Sequence, residues 1–127
     1  MNTKKAYFEK VKMRIPGASQ TLSKTPTQFV LGVSPIAAVK AKGVYFWDID
    51  GDKYLDFMIA LGPMIFGYAD EEINEAAKDA IDVGSAFSIP SEKEYELAEL
   101  LSTILPHAEM SRFFLNGNDA TSGAIRL

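Results

Sequence analysis

Met110-Ser111-Arg112-Phe113-Phe114-Leu115 runs straight into Asn116-Gly117-Asn118-Asp119, and Ala120-Thr121-Ser122-Gly123-Ala124-Ile125-Arg126-Leu127 follows. The first piece is short and apolar on both alternating faces except at Ser111 and Arg112, the pattern of a strand buried on both sides. The second is polar around a glycine. The third reads as a helix. Strand, glycine loop and helix in that order are the rhythm of an α/β fold. The junction also carries chemistry. A helix N-terminus presents N–H groups without intrahelical partners at the positive end of its dipole. That makes it a seat for phosphate. Gly117 lets the backbone approach an anion closely. Asn116 and Asn118 offer side-chain N–H donors, and Thr121 a hydroxyl. The same pattern also describes a capped loop that binds nothing.

Two helices are predicted upstream. Asp70 caps one that runs through Val83, with Glu71 and Glu72 in its first turn, where the dipole favours acids. Ile73, Ala76, Ala77, Ala80 and Ile81 form its apolar stripe, and Gly84 stands where a terminating glycine belongs. Ser91 and Glu94 predict a reciprocal cap for the next helix. Tyr95, Ala98, Leu101 and Leu105 lie on its apolar face, and Pro106 stops it.

The first half reads differently. A short amphipathic helix over residues 4–13 carries Tyr7, Phe8 and Val11 on one side and ends at Pro16-Gly17. Residues 18–27 read as loop. Four strand-like pieces follow: Gln28–Leu31, Ala37–Ala41, Val44–Asp48 and Lys53–Met58. Asp50-Gly51 between two apolar runs is a hairpin signal of the type I′ kind, with positive φ expected at both residues. Residues 28–58 are therefore expected to form an antiparallel meander. The expected division is an N-terminal helix, loop and meander over 1–69, then the start of an α/β domain over 70–127. The chain is also expected to be cut short, because Leu127 falls inside a helical stretch without a stop signal and Met110–Leu115 has no parallel partner.

Composition narrows the class. The chain has 127 residues, 47% of them hydrophobic, which is enough for a core. Its net charge of −4 and lack of a basic stripe argue against nucleic acid. No apolar run approaches the ~18 residues that a membrane span needs, and Glu9-Lys10 breaks any secretory apolar region. Cysteine is absent, so disulfides and thiolate metal sites are excluded. A cytoplasmic protein is expected. Asp48-Ile49-Asp50-Gly51-Asp52 invites a calcium reading, but the loop would need Gly at Lys53 and an acid at Ile59. It reads better as a turn rimmed with solvated acids, and no metal is expected. His107, the lone histidine, reads as a solvated loop residue. The aromatics Tyr45, Phe46, Trp47, Tyr54 and Phe57 read as packing.

Several motifs in order resemble the class III aminotransferase family, close to the glutamate-1-semialdehyde aminomutases. The family's phosphate loop runs Asn-Ser-Gly-Thr-Glu-Ala-Thr, two residues, then Ala-Ile-Arg-Leu. Leu115-Asn116-Gly117-Asn118-Asp119-Ala120-Thr121, then Ser122-Gly123, then Ala124-Ile125-Arg126-Leu127 resembles it. Arg14-Ile15-Pro16-Gly17 resembles the opening Arg-x-Pro-Gly. Asp48-Ile49-Asp50-Gly51-Asp52-Lys53-Tyr54-Leu55-Asp56 resembles the family hairpin. Gly62-Pro63-Met64-Ile65-Phe66-Gly67-Tyr68 resembles its Gly-Pro-x-x-x-Gly-His connector, and Gly84-Ser85-Ala86-Phe87-Ser88-Ile89-Pro90 its Gly-x-x-Phe-x-x-Pro loop.

The resemblance implies fold type I, a small antiparallel part followed by a large domain with a mostly parallel sheet, working as a homodimer. It implies pyridoxal 5′-phosphate (PLP) as cofactor, an amino donor and a carbonyl acceptor as substrates, and a Schiff-base lysine beyond residue 127. This chain would hold no catalytic residue and be inactive alone. Asn116, Gly117 and Asn118 stand where the family's phosphate seat has Ser, Gly and Thr. Thr21 and Lys24 fall where the aminomutases face substrate with Ser and Arg, and Leu61 where they have Trp. Lysine lacks the two-pronged grip of arginine on a carboxylate, so these departures point away from glutamate-1-semialdehyde and toward a related aminotransferase, one acting on a sugar-like or polyketide-like carbonyl. The competing reading is a non-catalytic dimerisation domain derived from the same family.

Overall fold

A computed structural model describes residues 3–127. The chain divides into two compact units, Met1–Asp79 and Ala80–Leu127.

The first unit is built on an antiparallel meander, β1 (Ala38–Lys42), β2 (Tyr45–Asp48) and β3 (Lys53–Leu55), in the order β1-β2-β3. Phe46 faces Tyr54 across the β2–β3 pair, and Trp47 faces Lys53. Alternation of side chains sorts the aromatics onto two faces. On one, Phe46 and Tyr54 stack with centroids 5.2 Å apart. On the other, Lys53 Nζ lies 3.7 Å from the Tyr45 ring centre and Lys40 Nζ 5.0 Å from that of Trp47. The lysines thus cover an aromatic face that would otherwise meet water.

The β2–β3 turn corrects the expected geometry. Gly51 has φ 83°, but Asp50 does not share the positive φ that a type I′ turn requires. Gly51 N–H donates to Asp48 O, and Asp48 N–H to Asp52 O, so the loop holds one residue more than a two-residue hairpin and needs one left-handed position instead of two. The strand expected at Gln28–Leu31 is also absent. Pro26–Gln28 forms a 3-10 turn closed by Gln28 N–H to Thr25 O and Phe29 N–H to Pro26 O. Pro26 presets that turn and has no N–H for a ladder. The third strand stops at Leu55 because Asp56 caps the turn that follows it.

Helix α1 (Thr3–Lys12) buries Phe8, as its stripe predicted, and also Lys4, which it did not. Lys4 Nζ meets Asp48 Oδ2 at 2.9 Å and Tyr54 Oη at 2.9 Å. Asp48 is fully buried, so the acid expected to rim a solvated turn is instead the anchor of the meander. Its other oxygen accepts the N–H groups of Asp50 and Asp52, both at 3.0 Å. With all of these bonds made, Asp48 has no open face for the cation that its loop suggested.

Helix α2 (Glu71–Val83) crosses the unit boundary. Asp70 Oδ1 accepts from Ile73 N–H, the cap its position predicts, and Gly84 ends the helix at φ 113°. In the second unit, α3 (Glu92–Ile104) starts at the reciprocal cap: Ser91 Oγ accepts from Lys93 N–H and Glu94 Oε1 from Ser91 N–H. Helix α4 covers Gly117–Ile125, ending before the Leu127 to which it was expected to run. Met110–Leu115 is not a strand. Among the described residues it has no ladder partner, and backbone N–H and C=O groups need one to stay extended in a sheet. The Phe114 ring instead covers Gly123 of α4, where an added Cβ would sit 2.8 Å from ring atom Cε1.

Candidate functional site

The two units each hold a candidate site. In the second, Asn116 caps α4: its Oδ1 accepts Asp119 N–H at 3.0 Å and its Nδ2 donates to Asp119 Oδ2 at 2.8 Å. The side-chain donor expected to face an anion is therefore turned toward a carboxylate. Thr121 Oγ1 lies 3.0 Å from the carbonyls of both Gly117 and Asn118 and donates back into its own helix. What the junction keeps for an anion is the first-turn backbone N–H groups of Gly117 and Asn118, which have no intrahelical acceptor, and the Asn118 amide. An added Cβ at Gly117 would meet nothing within 4 Å, so the approach is open. A phosphate fits these donors through the backbone. Asp119 is the unfavourable neighbour, and the family pattern also carries an acid at that position.

The first unit holds a cavity of about 490 Å³. Its walls come from the loop before β1 (Phe29, Ile36), the meander (Phe46, Tyr54) and the segment after β3 (Asp56, Leu61). Lys24 lines it, while Thr21 does not. Thr21 is exposed, with its N–H bonded to Ser19 Oγ at 3.2 Å and its carbonyl accepting from Lys24 N–H. Of the two residues expected to face substrate, the fold brings only the lysine to a concave surface.

The segment after β3 is the part that sequence reading missed. Ile59, Ala60 and Leu61 have φ of 41°, 54° and 72°, and Gly62 of 110°. A left-handed backbone costs a non-glycine residue about 1–2 kcal/mol, so this run needs outside support. Asp56 supplies it. Its carboxylate accepts Met58 N–H at 2.8 Å, Ala60 N–H at 3.4 Å and the Tyr68 hydroxyl in a short bond. Burial opposes the Asp56 charge, yet the hydrogen bonds from Tyr68, Met58 and Ala60 outweigh it and hold the carboxyl below its ordinary value. Burial, then the bond to Asp56, pushes the Tyr68 phenol up to about 12. Tyr68 is itself tied to the turn between β1 and β2 by two backbone bonds with Gly43, of 2.8 and 2.7 Å. The only local signal for this turn was Gly62-Pro63 at its end; no propensity marks Ile-Ala-Leu as left-handed.

Similar structures define the class first. A crystal structure of an omega-transaminase from Sphaerobacter thermophilus matches 98% of this chain and 27% of its own, with 31% identity and a TM-score of 0.84. A transaminase solved with PLP bound matches 99% of this chain and 29% of its own, with 27% identity and a TM-score of 0.81. The fold is that of the PLP-dependent transaminases. Residues 30–127 match the family described as aminotransferase class-III, and the chain belongs to that family. A glutamate-1-semialdehyde 2,1-aminomutase of Methanococcus maripaludis is 38% identical over all 127 residues, which span 29% of its length.

Proposed function

We propose that this chain serves as the N-terminal portion of a PLP-dependent aminotransferase or 2,1-aminomutase, with residues 1–69 in the small-domain part and 70–127 opening the cofactor-binding domain. The observation that carries the reading is the start of α4, where Gly117 and Asn118 present first-turn N–H groups to open space in a family whose solved relatives include one with PLP bound. Gly117 and Asn118 hold the cofactor's phosphate by backbone donors, and the Asn118 amide adds one more. Asn116 acts indirectly, fixing the start of the helix through Asp119. The cofactor supplies a carbonyl that takes up an amino group and a ring that withdraws electrons from the neighbouring carbon. Lys24 offers a point charge toward an acidic substrate group in the cavity, and Thr21, outside its walls, contributes through the loop that carries Lys24. The amino donor and carbonyl acceptor are small molecules, the working form is a homodimer, and the compartment is the cytoplasm. Among the described residues no helix is long and apolar enough to cross a membrane.

The protein expressed from its complete reading frame should show PLP absorbance, a lysine outside these 127 residues that borohydride reduces onto the cofactor, and transamination. Asn118→Ala should weaken PLP binding about tenfold, the loss of one hydrogen bond to a charged group. A protein without PLP absorbance or a reducible lysine would refute the reading. Unchanged PLP affinity in Asn118→Ala would remove Asn118 from the seat.

A further inference from the structure

The left-handed run Ile59–Leu61 borders the cavity that Lys24 lines, and nothing in its side chains favours that backbone. Strain of this kind persists only where the surroundings impose it, and it gathers at working sites. Both ends of the support are anchored to the turn between β1 and β2. Asp56 N–H donates to Val44 O at 2.9 Å, and Tyr68 exchanges backbone bonds with Gly43. The Tyr68 hydroxyl closes the bracket on the Asp56 carboxylate, whose two oxygens also take Met58 and Ala60 N–H. Asp56, Met58, Ala60, Leu61 and Tyr68 together make one wall of the cavity.

We propose that Asp56 and Tyr68 are positioning residues: their hydrogen bond locks the left-handed turn, fixes Leu61 as a cavity wall and so sets the width of the carbonyl acceptor admitted beside Lys24. This rests on the reading that the cavity takes substrate in a PLP-dependent enzyme. Neither residue acts on a reacting atom, since the carboxylate is consumed by internal bonds. Tyr68 stands where the family connector has histidine, and an imidazole N–H there would serve as donor in the same way.

The test uses the protein from its complete reading frame with Tyr68→Phe, which removes only the hydroxyl, and Tyr68→His, which restores a donor. Hydrogen exchange read by mass spectrometry follows residues 57–62 and, as a control for general loosening, 45–55. Steady-state kinetics compares a narrow with a bulky acceptor. Tyr68→Phe should speed exchange in 57–62 and spare 45–55. It should also raise KM for the narrow acceptor about tenfold, with a smaller change in kcat and a weaker effect for the bulky one. Tyr68→His should recover most of both. Faster exchange with an unchanged KM would reduce the pair to plain structural support and overturn the proposal, as would unchanged exchange. A parent protein with no transamination activity would sink the enzyme reading instead. The exchange arm would then still decide the lock, and an unaltered 57–62 would overturn it.

Discussion

Lys4 is the residue whose environment departs furthest from its chemistry. Its ammonium is buried between Asp48 and Tyr54, and the bonds to them raise its pKa above the ordinary 10.5. Burial opposes the Asp48 charge, but Lys4 and the amides of Asp52 and Asp50 outweigh it, so its pKa falls below the ordinary 3.8. Removing one partner strands the other as a lone buried charge, which costs more than removing both. Lys4→Met should therefore lower the urea midpoint more than Lys4→Met with Asp48→Asn, read by Trp47 fluorescence. Equal midpoints would mean that the two charges are not coupled. The same groups set the pH dependence. Asp48 and Asp56 have depressed folded values, so their contribution is present above pH 3.8 and is lost as pH falls through those lower values. Tyr68, raised from 10.0 to about 12, contributes fully below pH 10 and loses that contribution as pH rises through about 12. Stability should be flat at mid-range and fall at both ends, with Asp48→Asn flattening the acid limb and Tyr68→Phe the alkaline one. An acid limb unchanged in Asp48→Asn would show that other carboxylates drive it. The exposed pairs Lys78–Glu75 and Lys93–Glu96 add little to it.

Among the elements, the capped helices formed where their residues asked. Asp70, Gly84 and the Ser91–Glu94 pair bound α2 and α3 because a cap needs only its own turn. The closure of the meander onto the connector is not local. Gly67 has φ 88°, and an added Cβ would lie 3.1 Å from Gly43 O, so both its backbone and its space require glycine. Gly67→Ala should destabilise the first unit by about 2 kcal/mol and loosen the Gly43–Tyr68 bridge. Chemical denaturation measures the first effect and hydrogen exchange at Tyr68 the second. A neutral Gly67→Ala would mean that the bridge carries no strain.

For the molecule as a whole, Phe8 is the only large hydrophobic residue among the described ones that is buried. Met110, Leu115, Ile81 and Tyr95 stand 93%, 94%, 66% and 67% exposed, although each lies on a stretch or helix face that reads as apolar. Apolar surface on this scale drives association. The 127 residues alone should run as oligomers or aggregates in sizing chromatography and should neither transaminate nor take up PLP covalently. A sharp monomer peak, or turnover with any amino donor, would contradict this.

Helix starts, glycine stops, the meander around Asp50-Gly51 and the glycine junction before α4 were legible in the amino-acid order, because each depends on contacts within a few residues. The burial of Lys4 and Asp48, the left-handed turn held by Asp56 and Tyr68 and the unformed strand at Met110–Leu115 were not. Each depends on which distant group fills the space beside it. A strand without a neighbour, or a charge without its partner, carries no mark in its own stretch of chain.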